Sequence, residues 1–271
     1  MKKNKTFFVI YAGVACGIEA PAEWCKYFKK LYEQSETIKY TDTRPRFKNI
    51  ASLVIRETTA NHTELKLIAL PGLHKYEVIA SSAPILLFPA VHQFISRILN
   101  IMFHLSGGFV LHASSIHTEK KVFLFAGESG RGKSTIVDFI HLHKPESYIL
   151  SDNSAFIRKI QNTFVVYPSP YLEANRLAML QSHLPDGSPY PISAVYFPYH
   201  ALHNNIVKLP FREKIQLIQK NSHIPYQSKI LLTASQTSLF GKTIFDFIRT
   251  VNIRKLEFVK NNSFIYHILY P

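Results

Sequence analysis

One stretch of the chain decides its fold, Gly127-Glu128-Ser129-Gly130-Arg131-Gly132-Lys133-Ser134-Thr135. It fits the pattern G-x-x-x-x-G-K-[ST], in which a glycine-rich loop wraps around phosphate groups. The apolar run Val122–Ala126 precedes the loop and is typical of a buried strand. Residues 133–143 follow it with apolar side chains at helical spacing. Strand, loop and helix therefore occur in the order that a phosphate-binding loop requires, and the sequence predicts binding of a nucleoside triphosphate.

Each part of such a loop has a chemical task. The glycines let main-chain N–H groups turn towards phosphate oxygens, and the positive end of the following helix adds to the attraction. Lys133 is expected to reach the β- and γ-phosphates, and the Ser134 hydroxyl is expected to bind Mg²⁺. We therefore expect ATP and Mg²⁺ as cofactors, held by the whole of Gly127–Thr135. The motif itself does not distinguish ATP from GTP.

Composition predicts a folded, basic protein. The chain has 271 residues, 46% of them apolar, and a net charge of +14 whose excess lies towards both ends. A basic surface attracts an acidic peptide, a nucleic acid or a membrane, or is simply solvated. Because no aromatic and basic nucleic-acid motif is present, we favour a solvated surface and do not expect a nucleic-acid partner. Two cysteines are too few for a disulfide framework or a zinc site, as in a cytoplasmic protein.

The first 16 residues imitate a secretory signal, because a basic head precedes a short apolar run. We interpret Thr6–Tyr11 as a first strand instead, since a nucleotide-binding loop is expected where ATP is available. The chain has no run of 18 apolar residues, so we expect no transmembrane segment. Together these features predict a cytoplasmic location.

Three regions are expected along the chain. Residues 1–88 predict a mostly β accessory module, with a helix that begins near Pro21. Residues 89–106 predict a linking helix, and 107–271 a nucleotide-binding domain. Within that domain we expect a strand at 264–269. Three further features are predicted there, namely a short helix at Glu173 and Arg176, a lid or acceptor-binding loop at His183–Pro191, and a largely helical segment at 230–250.

A β-hairpin is predicted just before the glycine-rich loop. Phe109–Ser115 and Val122–Ala126 are apolar runs, and a turn at Thr118–Lys121 fixes their register. In that register His112 lies opposite Gly127, at the margin of the loop. Two interpretations of His112 stay open: a structural hydrogen-bonding residue, or part of a catalytic centre.

Asp152 follows a short apolar strand at residues 148–151. A carboxylate at the end of a strand near a phosphate-binding loop is placed to assist Mg²⁺ or to act as a base. The alternative is an ordinary turn aspartate, which spacing alone does not exclude.

These elements together resemble the HPr kinase/phosphorylase-like family. The likeness is carried by Gly107-Gly-Phe-Val-Leu-His112-Ala-Ser-Ser115, by the loop, and by Leu150-Ser-Asp152-Asn153, and it covers mainly residues 107–155. The resemblance implies an α/β fold, a P-loop-containing mixed sheet of the HPr kinase and phosphoenolpyruvate carboxykinase type. The accessory region looks more like that of the peptide-kinase relatives than that of the carrier-protein kinases.

The resemblance also implies an activity. An ATP-dependent kinase would phosphorylate a hydroxyl, a serine of a peptide or small protein, with Asp152 as base and His112 in support. Lys133 and Ser134 would hold phosphate and metal, and the family often assembles into homo-oligomers. Where the family has two consecutive aspartates, this chain has Asp152-Asn153. Asn153 would be a neutral and weaker Mg²⁺ ligand. A nucleotide-binding regulator with vestigial turnover and a reversible kinase/phosphorylase therefore remain alternatives.

Overall fold

The computed structural model describes residues 4–33, 39–46, 50–58, 66–70, 75–81, 84–119, 121–169, 188–223, 234–259 and 263–269. The chain is a mixed α/β structure that divides into two compact units. One comprises Met1–Ser106 with Pro225–Thr233, and the other comprises Gly107–Ile224 with Ala234–Pro271. None of the helices in the described ranges is both long and apolar enough to cross a membrane.

Within the described residues, the first unit has a six-stranded mixed sheet and two helices. Its strands are β1 (Asn4–Tyr11), β2 (Val14–Pro21), β3 (Lys39–Thr41), β4 (Ile50–Thr58), β5 (Lys66–Leu70) and β6 (Lys75–Ser81), in the order β3-β1-β2-β4-β6-β5. Its helices are α1 (Ala22–Glu33) and α2 (Pro84–Leu105). Helix α1 packs on β1, β2 and β3, whereas α2 packs on β2 and β4.

The predicted first strand is confirmed as β1, but the sequence did not indicate its partner β2. The two strands form a hairpin through Ala12 and Gly13, both of which have positive φ, as a tight hairpin turn requires. Helix α1 begins directly after Pro21 and buries Trp24 and Phe28. The helix predicted to begin near Pro21 is therefore confirmed.

The second unit contains two sheets. The central sheet is mixed and comprises β8 (Ala113–Thr118), β9 (Lys121–Ala126), β10 (Tyr148–Ser151), β14 (Ala194–His200), β15 (Asn205–Lys208) and β17 (Ile253–Phe258), in the order β10-β8-β9-β14-β17-β15. The second sheet is antiparallel and comprises β7 (Phe109–Leu111), β11 (Ala155–Ile160), β12 (Thr163–Tyr167), β13 (Tyr190–Pro191) and β16 (Ser222–His223), in the order β13-β12-β11-β7-β16.

In the part of this unit that the structure describes, four helices accompany the sheets: α3 (Lys133–His143), α4 (Phe211–Asn221), α5 (Ala234–Thr250) and α6 (Phe264–Leu269). The alternation of side chains along β9 explains how they pack. Leu124 faces a core shared with the second sheet, α4 and α5, whereas Phe125 faces a core shared with α3 and α6. Both faces of the central sheet are therefore buried, which is why β9 is an unbroken apolar run.

Strand directions bring several strand ends together. Strands β9, β14 and β17 run parallel, and β8 runs antiparallel to both β9 and β10. Strand β10 therefore points the same way as β9. We call the side of the sheet at which β9, β10, β14 and β17 finish the carboxyl end of the central sheet.

The predicted hairpin register is confirmed. Ser114 pairs with Phe125 and Thr118 with Lys121, so the chain reaches His112 level with Gly127. The sequence did not indicate that the apolar run from Phe109 is interrupted. It belongs to the second sheet up to Leu111 and to the central sheet from Ala113, so His112 is the residue at which the chain changes sheets.

The strand predicted at 264–269 is wrong, because Phe264–Leu269 is helix α6. Its buried residues, Phe264, Ile265, Ile268 and Leu269, recur at the spacing of one helical face, whereas Tyr266 and His267 are exposed. The segment predicted helical at 230–250 is helix α5 from Ala234 onwards. Glu173, Arg176 and residues 183–187 of the predicted loop lie outside the described residues.

Candidate functional site

Topology places the predicted site residues at one location, the carboxyl end of the central sheet. The glycine-rich loop leaves β9 there, and Asp152 follows β10. Strand β8 is antiparallel to both, so His112, which precedes β8, lies at the same end. Residues far apart along the chain therefore meet through strand direction alone.

His112 is fixed through its main chain on both sides. Its N–H donates to the carbonyl of Asn221 at 2.7 Å, and its own carbonyl accepts the N–H of Gly127 at 3.2 Å. These bonds hold His112, where the chain passes from one sheet to the other, against the first residue of the loop and the last residue of α4. The position of the imidazole is thereby set relative to the loop.

The hydrogen bonds of the imidazole define its tautomer. Nδ1 lies 3.0 Å from the carbonyl oxygen of Asn153, which can only accept, so Nδ1 carries the proton. Nε2 lies 3.2 Å from the Lys133 ammonium, which can only donate. The imidazole is therefore neutral while both bonds exist, and its Nε2 lone pair points at Lys133.

Lys133 is 5% exposed, although it belongs to the residue class that is most often solvated. Its ammonium group also donates to the carbonyl of Glu128 at 2.9 Å, within the loop itself. Burial lowers the pKa of Lys133, and the negative charge of Asp152 opposes that change. A buried ammonium group whose hydrogen-bond partners are neutral is stabilised when an anion binds beside it.

Asp152 is also 5% exposed, and its Oδ1 accepts a hydrogen bond from the Ser134 hydroxyl at 2.7 Å. Ser114, which is fully buried on β8, donates to the main-chain carbonyl of Asp152 and lies 3.4 Å from Oδ1. The sequence analysis did not identify Ser114. Its place two residues after His112, on the predicted strand beside the loop, was the signal that could have found it.

Three glycines give the loop its shape. Gly127, Gly130 and Gly132 have φ of 147°, 80° and 84°, a region in which other residues are strained. At Gly132, an added Cβ would lie 2.8 Å from the Phe258 ring, so both conformation and space require glycine. Helix α3 begins at the next residue, and its first N–H groups have no acceptor within the helix.

The other loop side chains divide into two groups. Ser129 and Thr135 are exposed. Glu128 forms an ion pair with Lys220 of α4 at 2.8 Å, and the Arg131 guanidinium lies 4.9 Å from the centre of the Tyr199 ring. Neither Lys220 nor Tyr199 was identified from the sequence, because both come from packing between distant segments.

A small cleft of about 50 Å³ opens between the loop and the ends of β14 and α4. Its walls combine apolar and charged side chains, among them Phe197, Tyr199, Leu217, Glu128, Arg131 and Lys220. The cleft therefore adjoins the loop on the side away from Asp152.

The donor atoms near the loop suit a hard cation. The Ser134 hydroxyl and the Asp152 carboxylate are adjacent oxygen donors, and Mg²⁺ characteristically takes one or two protein oxygens together with phosphate and water. Asn153 is exposed, and its carbonyl oxygen accepts from His112. No group of three or more His, Cys, Asp or Glu side chains that could hold a metal occurs within the described ranges.

The sequence matches no protein-family model and no curated protein. The function is therefore inferred from geometry and chemistry. The arrangement offers a buried cation, a helix amino terminus, an oxygen-donor pair and a neutral histidine within one short stretch of the carboxyl end. Such a set can bind an anion and a hard cation side by side.

Proposed function

We propose that this chain is an ATP-dependent kinase that transfers the γ-phosphoryl group to a hydroxyl, a serine of a peptide or small protein. The observation that carries the proposal is the chain of contacts His112–Lys133 and Ser134–Asp152 at the start of α3. A loop that merely resembles the phosphate-binding pattern would not be expected to hold a buried lysine against a histidine and a serine against an aspartate.

Phosphate binding would use the loop and Lys133. The N–H groups at the start of α3 and the Lys133 ammonium would take the phosphate oxygens in place of the Glu128 carbonyl and His112. Mg²⁺, when bound, would neutralise charge on the phosphates, and Ser134 and Asp152 are the residues placed to hold it, with Asn153 as a further candidate donor. Gly132 lets the loop approach the Phe258 ring immediately before α3 begins.

Transfer would be an in-line displacement. The acceptor oxygen forms a bond to the γ-phosphorus, the bond from that phosphorus to the bridging oxygen breaks, and ADP leaves with the bonding electrons. The hydroxyl proton passes to the Asp152 carboxylate, whose Oδ1 is already engaged by Ser134. His112 would position Lys133 through Nε2, and its own orientation is held by the Asn153 carbonyl.

The test is transfer from γ-labelled ATP to serine-containing peptides or proteins, detected by mass spectrometry. Asp152→Asn should abolish transfer while ATP binding measured without Mg²⁺ is retained, whereas Lys133→Ala should weaken ATP binding itself. Asn153→Asp should increase the apparent affinity for Mg²⁺ if that side chain is a ligand. ATP binding by the wild type without transfer to any acceptor would instead indicate a regulator, and release of phosphate from a phosphorylated product would indicate reversible turnover.

A further inference from the structure

The cleft beside the loop has the form of a side-chain binding site. Phe197 and Leu217 supply apolar walls, and Glu128, Arg131 and Lys220 supply charge. Specific sites usually combine apolar walls with a few placed polar groups. Its volume of about 50 Å³ admits the end of one side chain rather than a whole ligand.

The charges of the cleft are unequal in number. Glu128 is paired with Lys220 at 2.8 Å and lies 4.0 Å from Arg131, so two cations share one carboxylate. The side chains of these three residues are 53%, 65% and 43% exposed, respectively. Exposed ion pairs contribute little to stability, so a carboxylate from a ligand can replace that of Glu128 at little cost.

A third cation near the cleft is already neutralised. Lys255 lies over the Tyr199 ring, but its ammonium is 2.8 Å from Glu257. Arg131 lies over the same ring, and its carboxylate neighbour among the described residues is Glu128, which it shares with Lys220. The unbalanced positive charge of the cleft is therefore provided by Arg131 and Lys220.

We propose that this cleft binds an acidic side chain of the peptide acceptor, with Lys220 and Arg131 as its partners and Glu128 as the group it displaces. This inference rests on the proposed kinase function and names the class of its substrate. Acidic acceptors also suit a chain with a net charge of +14.

The cleft adjoins the transfer centre. Asn221, which lines it, accepts the N–H of His112, and the Glu128 carbonyl receives the Lys133 ammonium. Since Lys133 would hold the terminal phosphates, these two contacts link the cleft to the phosphate-binding part of the site.

Strand order sets the expected spacing within the acceptor. Asp152 follows β10 and Tyr199 lies at the end of β14, three strand positions away in the order β10-β8-β9-β14. Three spacings of about 4.8 Å give roughly 14 Å, which an extended peptide spans in about four residues. The acidic side chain should therefore lie about four residues from the phosphorylated serine.

The test uses the full chain, ATP and synthetic peptides with a single serine, in which glutamate is placed at each of the six positions on either side. Matched peptides carry glutamine at the same position. We expect kcat/KM to be about three- to ten-fold higher for glutamate than for glutamine near the fourth position, as for a partly exposed charged contact. Equal rates at every position would overturn the inference. This comparison of peptides uses the wild-type protein only, so it does not depend on whether a variant folds.

Charge reversal identifies the residue responsible. Lys220→Glu should remove the preference for glutamate and favour a lysine peptide, whereas Arg212→Glu should leave the preference intact. Arg212 is the matched control because it is an exposed cation in the first turn of α4, about 12 Å from Lys220 along the helix. A Lys220→Glu variant that changes ATP affinity and not peptide preference would place the nucleotide in the cleft and contradict the proposal. Absence of transfer to every peptide would instead refute the kinase function.

Discussion

Replacement of Gly132 by alanine is the most direct test of the loop geometry. Two costs combine at this position. A left-handed backbone costs a residue other than glycine about 1–2 kcal/mol, which alanine partly offsets by about 0.4–1 kcal/mol through a less flexible unfolded chain. The new Cβ would also lie 2.8 Å from the Phe258 ring, which is 1% exposed and packed against Phe264.

Two other glycines separate these costs. Gly130 has φ of 80° but open space around its Cβ position, so alanine there should lower the free energy of unfolding by about 1 kcal/mol. Gly241 is an exposed residue inside α5 with no neighbour within 4 Å, so alanine should raise stability by about 0.5–1 kcal/mol. At Gly132, overpacking against Phe258 adds about 1–3 kcal/mol, which gives a total loss of about 2–4 kcal/mol.

The measurement is urea unfolding of the full chain without nucleotide, followed by far-ultraviolet circular dichroism. Phe258→Leu provides an internal check, because shortening the ring should reduce the loss caused by Gly132→Ala. Equal losses for Gly130→Ala and Gly132→Ala would refute the close approach of the loop to Phe258. Additive losses in the double variant would lead to the same conclusion.

Two further substitutions test the surroundings of the site. Ser114→Ala should lower the free energy of unfolding by about 1–2 kcal/mol and slow phosphate transfer, since it leaves a buried acceptor of Asp152 without its donor. Ser115→Ala, which loses a bond to Ser151 instead, should leave the Mg²⁺ dependence of transfer unchanged, and a shift of that dependence in both variants would contradict a specific role for Ser114. Burial lowers the pKa of His117, whose ring packs against Tyr190, so its unfolded form binds a proton at higher pH. Stability should therefore fall as pH drops below about 6.5, and His117→Phe should reduce that fall in pH-dependent thermal unfolding, whereas an unchanged pH profile would assign the effect to other groups.

The sequence predicted those parts of the fold that depend on residues close together in the chain. Val122–Ala126 is apolar at every position because both faces of β9 are buried, and such a run between polar ends indicates a central strand. The short turn at Thr118–Lys121 allowed the register to be counted outwards to His112 and Gly127. Both predictions needed only the neighbouring residues.

Other features depend on information that no short window contains. The six apolar and aromatic residues at 264–269 suit a strand as well as a helix, and only the cores around α3 and the central sheet select the helix. The pairing of Glu128 with Lys220 joins positions separated by most of the second unit. Ser114 could not be predicted for a different reason. The role of a serine on a buried strand depends on the carbonyl to which it donates, and here that carbonyl belongs to Asp152.

The length of the turn between β8 and β9 sets which residues lie opposite each other at the carboxyl end of the central sheet. This turn lies at the opposite end of the strands, about 20 Å from the loop, and Glu119 there is exposed. Exchange of one turn residue for another leaves the strand lengths unchanged. Insertion or deletion of a single residue would move β8 by one position against β9, separate His112 from Gly127, and turn Ser114 to the opposite face. The turn should thus tolerate the changes of residue type that suit the positive φ of Glu119, such as glycine or asparagine, but not changes of length, despite its distance from the site.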